Sequence, residues 1–153
     1  MDATDMLTME IQLATDAEQI RSCYEVMRQL RPHLISEQAF VSQVQRQIRE
    51  GYHLAYIQDH GQIKALAGFR FLEFLAWGKV LYIDDLISDA TARKNGYGST
   101  LLKWVIDEAK KAKCDQVHLD SGHHRHDAHR LYLNHGFQII GYHFTLDCKT
   151  TAL

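Results

Sequence analysis

The segment Ser88-Asp89-Ala90-Thr91-Ala92-Arg93-Lys94-Asn95-Gly96-Tyr97-Gly98-Ser99 sets two glycines and two adjacent cations between a run of strand-forming residues and an amphipathic run. A turn from strand into helix points several backbone N–H groups, none with an intrahelical partner, at one spot, where the helix dipole also favours negative charge. Gly96 and Gly98 allow the backbone to approach a phosphate closely, and Arg93 and Lys94 add positive charge beside it. The residues read as an anion cradle or, as plainly, as turn chemistry. They contain neither Gly-Lys-Ser/Thr nor Gly-x-Gly-x-x-Gly, so the P-loop and the dinucleotide fingerprint are excluded.

Three further groups have reactive types. Asp84 and Asp85 are adjacent near the end of a strand-like run, and on a regular strand they point to opposite faces unless a bulge intervenes. Tyr132 sits in a short amphipathic stretch, where a phenol is either core packing or a proton donor. His123-His124-Arg125-His126-Asp127-Ala128-His129 is rich in metal-ligand types, and His126 and His129 share a helix face. Its order nearly copies a metallohydrolase His-x-His-x-Asp-His signature, but the aspartate stands one place early and no distant ligand completes the set. A zinc-dependent hydrolase is therefore the weaker rival, and a polar loop beside a cleft is the plainer reading.

The elements that must position these residues follow from periodicity. Residues 8 to 14 alternate as an edge strand does, and Thr15-Asp16-Ala17-Glu18 opens a helix with Ile20, Cys23, Tyr24, Met27 and Leu30 on one stripe. Pro32 breaks that helix; Ser36 caps a second one carrying Phe40, Val44 and Ile48, which ends at Gly51. Tyr52 to Gln58 and Ile63 to Trp77 form a hairpin about Asp59-His60-Gly61, and Val80 to Ser88 is the next strand. A helix follows with Leu101, Leu102, Val105, Ile106 and Ala109 turned inward, then a strand over 115–120, a helix ending at Gly136, and a closing strand from Phe137 to Cys148. The expectation is one domain over residues 1–153 of the α+β class, in a three-layer α/β/α arrangement. Its mixed, mostly antiparallel sheet carries flanking helices and one parallel crossover.

Composition fits that size. The chain has 153 residues, 46% hydrophobic and 24% charged, enough for a core without disulfides or a structural metal. The formal net charge of −2 lacks the broad basic field of a nucleic-acid binder. No apolar run approaches the length that spans a bilayer, and Met1 to Asp5 lacks the start of a signal peptide, so a cytoplasmic location is expected. Cys23, Cys114 and Cys148 are odd in number and far apart, as buried reduced thiols would be.

Arg93, Gly96 and Gly98 match the Arg/Gln-x-x-Gly-x-Gly/Ala signature of the GNAT superfamily of acetyl-CoA-dependent N-acetyltransferases, which the chain resembles over nearly its whole length. Ala128-His129-Arg130-Leu131-Tyr132 and Gly136-Phe137 resemble that family's downstream motif at its spacing, and Tyr82 to Ile87 its bulged strand. Arg125 departs from the asparagine usual at that place: it either supplies a charged contact or caps the helix.

The resemblance implies acetyl-CoA as cosubstrate with no metal. Main-chain groups of Leu86, Ile87 and Ser88 would bind pantetheine between two splayed parallel strands, and Arg93, Lys94, Asn95, Gly96, Tyr97, Gly98 and Ser99 would bind the pyrophosphate. It further implies Tyr132 as general acid, Asp84 as base acting through water, and Asp85 as a contact to the acceptor amine. A water chain with no single essential carboxylate is the alternative base. With Asp120 closing the neighbouring strand, these carboxylates would draw a small cationic amine or a peptide amine; scattered surface charge explains them equally well. Neither nucleic acid nor membrane is expected as a partner, and a homodimer is left open. The rival class is a non-catalytic CoA sensor or interaction module, against which Tyr132 argues.

Overall fold

The computed structural model describes residues 9–149; Met1 to Asp5 and Thr8, the first residue of the expected edge strand, lie outside them. Two compact units divide the chain between Leu119 and Asp120. The first holds β1 (Glu10–Leu13), α1 (Ala17–Ser22), α2 (Tyr24–Leu30), α3 (Glu37–Arg49), β2 (Tyr52–Asp59), β3 (Gln62–Phe74), β4 (Gly78–Ser88), a 3-10 turn (Ala90–Ala92), α4 (Tyr97–Lys111) and β5 (Gln116–Leu119). The second holds α5 (His126–Asn134).

The sheet runs β1-β2-β3-β4-β5, antiparallel through β4 and parallel between β4 and β5. Alternation along its strands sorts the two faces. Tyr52, Leu54, Tyr56, Leu66 and Ile87 pack in one core with Ile20, Met27 and Phe40 from the first three helices and with Cys23 between α1 and α2. His53 and Phe69 point the other way, stacking at 5.2 Å, with Trp104 of α4 edge-on to Phe69 at 6.3 Å. Leu101, Leu102 and Val105 of α4 are fully buried, each stabilising by about 1.5–3 kcal/mol.

Local chemistry sets the helix ends. Asp16, rather than Thr15, caps α1: its carboxylate accepts from the Gln19 N–H, and the Gln19 side chain accepts from the Asp16 N–H. The expected single first helix is two, separated at Cys23. Ser36 caps α3 through the Ala39 N–H.

Phe137 to Cys148 is not the expected closing strand. Residues 137–147 carry no assigned secondary structure, and Ile139, Ile140, Tyr142, Phe144 and Leu146 are exposed. Alternation marks a segment able to pair; a ladder also needs a partner edge, which the segment's own residues do not supply. Of the three free thiols only Cys23 is buried, where loss of solvation pushes its pKa up to about 12; Cys114 is half-buried and Cys148 exposed. Among the described residues no helix is long and apolar enough to cross a membrane.

Candidate active site

The β4–β5 ladder pairs Val80 to Ile83 with Gln116 to Leu119 and stops there. Beyond Ile83, β4 continues for five residues, Asp85 to Ser88 of them paired to β3, and among the described residues no strand lies along the other edge of Asp84 to Ser88. The chain then turns through the 3-10 segment into α4, with Arg93, Lys94, Asn95 and Gly96 exposed.

Gly96 sits at the N-cap of α4 with φ +81°, a left-handed conformation that L side chains rarely adopt, and it offers no side-chain oxygen to the first turn's N–H groups. A Cβ there would meet nothing within 4 Å, so its backbone angle rather than crowding by the protein demands glycine. The loop is tied down on both sides. The Tyr97 hydroxyl donates to Asp59 at 2.6 Å, and Gln29 of α2 bonds both the Asp89 carboxylate at 2.8 Å and the Ala90 N–H at 2.9 Å. Gln29 and Asp59 carried no sequence signal for this role.

The strand pair that carries the acidic residues contains the irregularity that lets both serve one site. Gly68 faces Asp85 and Phe69 faces Ile83, leaving Asp84 as the extra residue of a β-bulge. Asp84 and Asp85 consequently line the same cavity, of about 450 Å³, together with residues of α2, α3 and β2. Neither carboxylate stands alone. Arg70 grips Asp84 through Nε at 3.1 Å to both oxygens and Nη2 at 2.6 Å to Oδ2, while its guanidinium lies 5.3 Å from the Tyr52 ring centroid.

Asp85 accepts from the Tyr52 hydroxyl at 2.7 Å and from Arg31 Nε at 3.0 Å. Arg31 Nη2 also donates to the Asp84 carbonyl oxygen at 2.9 Å, satisfying an acceptor that the bulge takes out of the ladder. Arg31 owes its place to Pro32. The residue before proline is driven from helical geometry, and Arg31 leaves α2 at φ −121°, ψ 73°.

Burial raises the Asp84 pKa above the ordinary carboxylate value, against the pull of Arg70. It raises Tyr52 well above the ordinary phenol value, with the Asp85 charge adding to the effect. The sequence marked both aspartates but neither arginine nor Tyr52. Gly68, a glycine inside a strand, was the available signal: a Cβ there would fall 1.8 Å from the Tyr52 oxygen and 2.6 Å from Asp85 Oδ2.

In the second unit, Tyr132 is buried on α5 and meets the ring of Phe137 edge-on at 5.9 Å. Burial raises its pKa, and the Arg125 guanidinium, hydrogen-bonded to it, pulls the other way. Arg125 stands at the N-cap of α5 without making a side-chain cap, so its side chain serves the phenol rather than the helix end. Asp120 pairs with His143 at 3.2 Å. His129 bonds the Gly122 carbonyl oxygen at 2.8 Å, and among the described residues no three histidine, cysteine or acidic side chains converge as a metal site would require.

Comparison with known proteins gives the family to which this mixed sheet and its strand-to-helix turn belong. The acetyltransferase (GNAT) family model matches residues 17–137, and the chain belongs to that family. It is 35% identical over 132 residues to the uncharacterized N-acetyltransferase YhdJ of Bacillus subtilis, covering 85% of this chain and 92% of that one. It is 35% identical over 63 residues to the aminoalkylphosphonate N-acetyltransferase of Salmonella typhimurium, 41% of each chain. The fold is shared with the aminoglycoside N-acetyltransferase AAC(6')-Iy, solved in complex with CoA, at a TM-score of 0.79 and 12% identity over 93% of this chain and 95% of that one.

Proposed function

We propose that the protein transfers the acetyl group of acetyl-CoA to a primary amine by direct attack of the amine on the thioester. The observation that carries this reading is the edge of β4 over Asp84 to Ser88, along which no strand lies among the described residues, followed through the 3-10 turn by an α4 N-terminus with a left-handed glycine at its cap. Main-chain groups of Leu86, Ile87 and Ser88 would hold the pantetheine arm as an added strand is held. Residues 93–99 would take the pyrophosphate through backbone N–H groups and the charges of Arg93 and Lys94.

The bound thioester supplies an activated acetyl group. The chain's part is to fix it, to steady the carbonyl oxygen with a β4 amide as charge develops there, and to move two protons. Asp84, gripped by Arg70, takes the acceptor's proton through water rather than by direct contact. As the C–N bond forms and the C–S bond breaks, Tyr132 gives its phenolic proton to the departing sulfur and is reprotonated from solvent.

The names of the relatives cover more than one kind of amine, so the acceptor is to be sought in this chain's own cavity. Calorimetry tests the cosubstrate assignment. Acetyl-CoA should bind and, at a hundredfold excess over Kd, stabilise the fold by about 2.7 kcal/mol. Gly96→Val, which puts a β-branched residue at φ +81° and beside the phosphates, should weaken binding by about tenfold or more. Unchanged affinity in that variant would refute the pyrophosphate site.

A further inference from the structure

The cavity bounded by α2, α3, β2 and β4 differs from a simple ammonium trap. Its two carboxylates are already matched by two guanidinium groups, Asp84 by Arg70 and Asp85 by Arg31. These four charges sum to zero. A lone cation entering here finds no carboxylate without a counter-charge, and it meets Arg31 beside the one it needs.

The more accessible end of the Arg31–Asp85 pair is the positive one. The Arg31 side chain is 40% exposed and the Asp85 side chain 14%. Nε and Nη2 of Arg31 are spent on the Asp85 carboxylate and the Asp84 carbonyl, while Nη1 has no hydrogen bond or ion pair among the described residues. Its two N–H groups diverge, and each can donate a charge-assisted hydrogen bond to an oxygen of a carboxylate or a tetrahedral oxyanion. His33, Gln43 and Gln47 line the same cavity and add donors of the same use.

We propose that the acceptor is a small zwitterionic amine: a primary amine that also carries a carboxylate, phosphonate or phosphate group, with the anion on Arg31 Nη1 and the amine toward Asp84 and Asp85. This rests on the acetyl-transfer reading and narrows it, and it replaces the cationic acceptor expected from Asp84, Asp85 and Asp120. A neutral zwitterion matches a charge-balanced cavity at both ends, whereas a diamine or an alkylamine matches it at one.

The test compares kcat/KM for amines of equal chain length in four arms: n-alkylamine, diamine, amino acid, and aminoalkylphosphonate. At least one anionic arm should exceed the alkylamine by about tenfold or more, the size of one charge-assisted contact, and the leading arm tells carboxylate from phosphonate. Arg31→Gln should erase that advantage through KM and shift preference toward the diamine, because Asp85 then lacks its counter-charge. Arg31→Lys should restore part of it.

Retained acetyl-CoA affinity in each variant shows that the fold has survived. Equal rates in all arms, preference for the cationic arms in the wild type, or an advantage that persists in Arg31→Gln would overturn the proposal. Calorimetric titration of the CoA-loaded protein with the amino acid and the phosphonate separates the two readings. Arg31-dependent binding without turnover would sustain the acceptor class while failing acetyl transfer, and turnover of alkylamines with no zwitterion binding would do the reverse.

Discussion

A phenol can hand its proton to a thiolate only if it still holds that proton at neutral pH, and burial secures this for Tyr132. Arg125 works against the upward shift, keeping the phenol a better donor than burial alone would leave it. Tyr132→Phe keeps the ring against Phe137 and removes only the proton, so kcat should fall by about a hundredfold with acetyl-CoA affinity nearly intact. A fall of less than about threefold in steady-state assays would make Tyr132 a packing residue.

Tyr52 presents the other use of a buried phenol. Its hydroxyl donates to Asp85, and its folded pKa lies well above the unfolded value near 10. The resulting stability is complete below about pH 10 and is lost as pH rises from there through the folded value. Urea midpoints should therefore drop more steeply above about pH 10 in the wild type than in Tyr52→Phe; parallel slopes would contradict the assignment.

Asp84, Asp85 and Tyr132 were visible in the sequence as reactive types, and the partners that define them were not. Arg70 lies 14 residues from Asp84, and Arg31 lies 54 from Asp85. Only the strand pairing and the break at Pro32 bring them together.

At the scale of elements, the bulge at Asp84 is the feature on which the cavity depends. One extra residue places two successive carboxylates on one cavity, and Arg31 holds the carbonyl that the bulge frees. Gly68→Ala would force the Tyr52 hydroxyl and Asp85 apart, costing about 1–3 kcal/mol in denaturant unfolding. A cost below about 0.5 kcal/mol, the range of ordinary surface changes, would show that the strand yields without strain.

The elements through α4 were legible because their signals are local: the cap at Ser36, the break at Pro32, and the apolar stripe of α4. The failures were of another kind. The helix interruption at Cys23 leaves the same residues buried on both sides of it, so periodicity alone does not reveal it. The alternation after Phe137 describes how a strand would sort its side chains, while pairing depends on an edge that the segment's own sequence does not contain.

For the molecule as a whole, a net charge of −2 on 153 residues supplies no long-range field for a polyanion, so the roles proposed for Arg93, Lys94 and Arg31 are local ones. Of the three carboxylates expected to draw a cation, Asp84 and Asp85 are matched by guanidinium groups once the sheet is assembled, which is why the acceptor proposed above is a zwitterion.

Acetyl transfer to an amine is checked by turnover. With acetyl-CoA and the amine panel, wild-type protein should release free thiol in an amine-dependent manner, with an N-acetylated acceptor accumulating in equal amount by mass spectrometry. Tight binding of acetyl-CoA with no amine-dependent thiol release in any arm would contradict the claim and leave the chain a CoA-binding module.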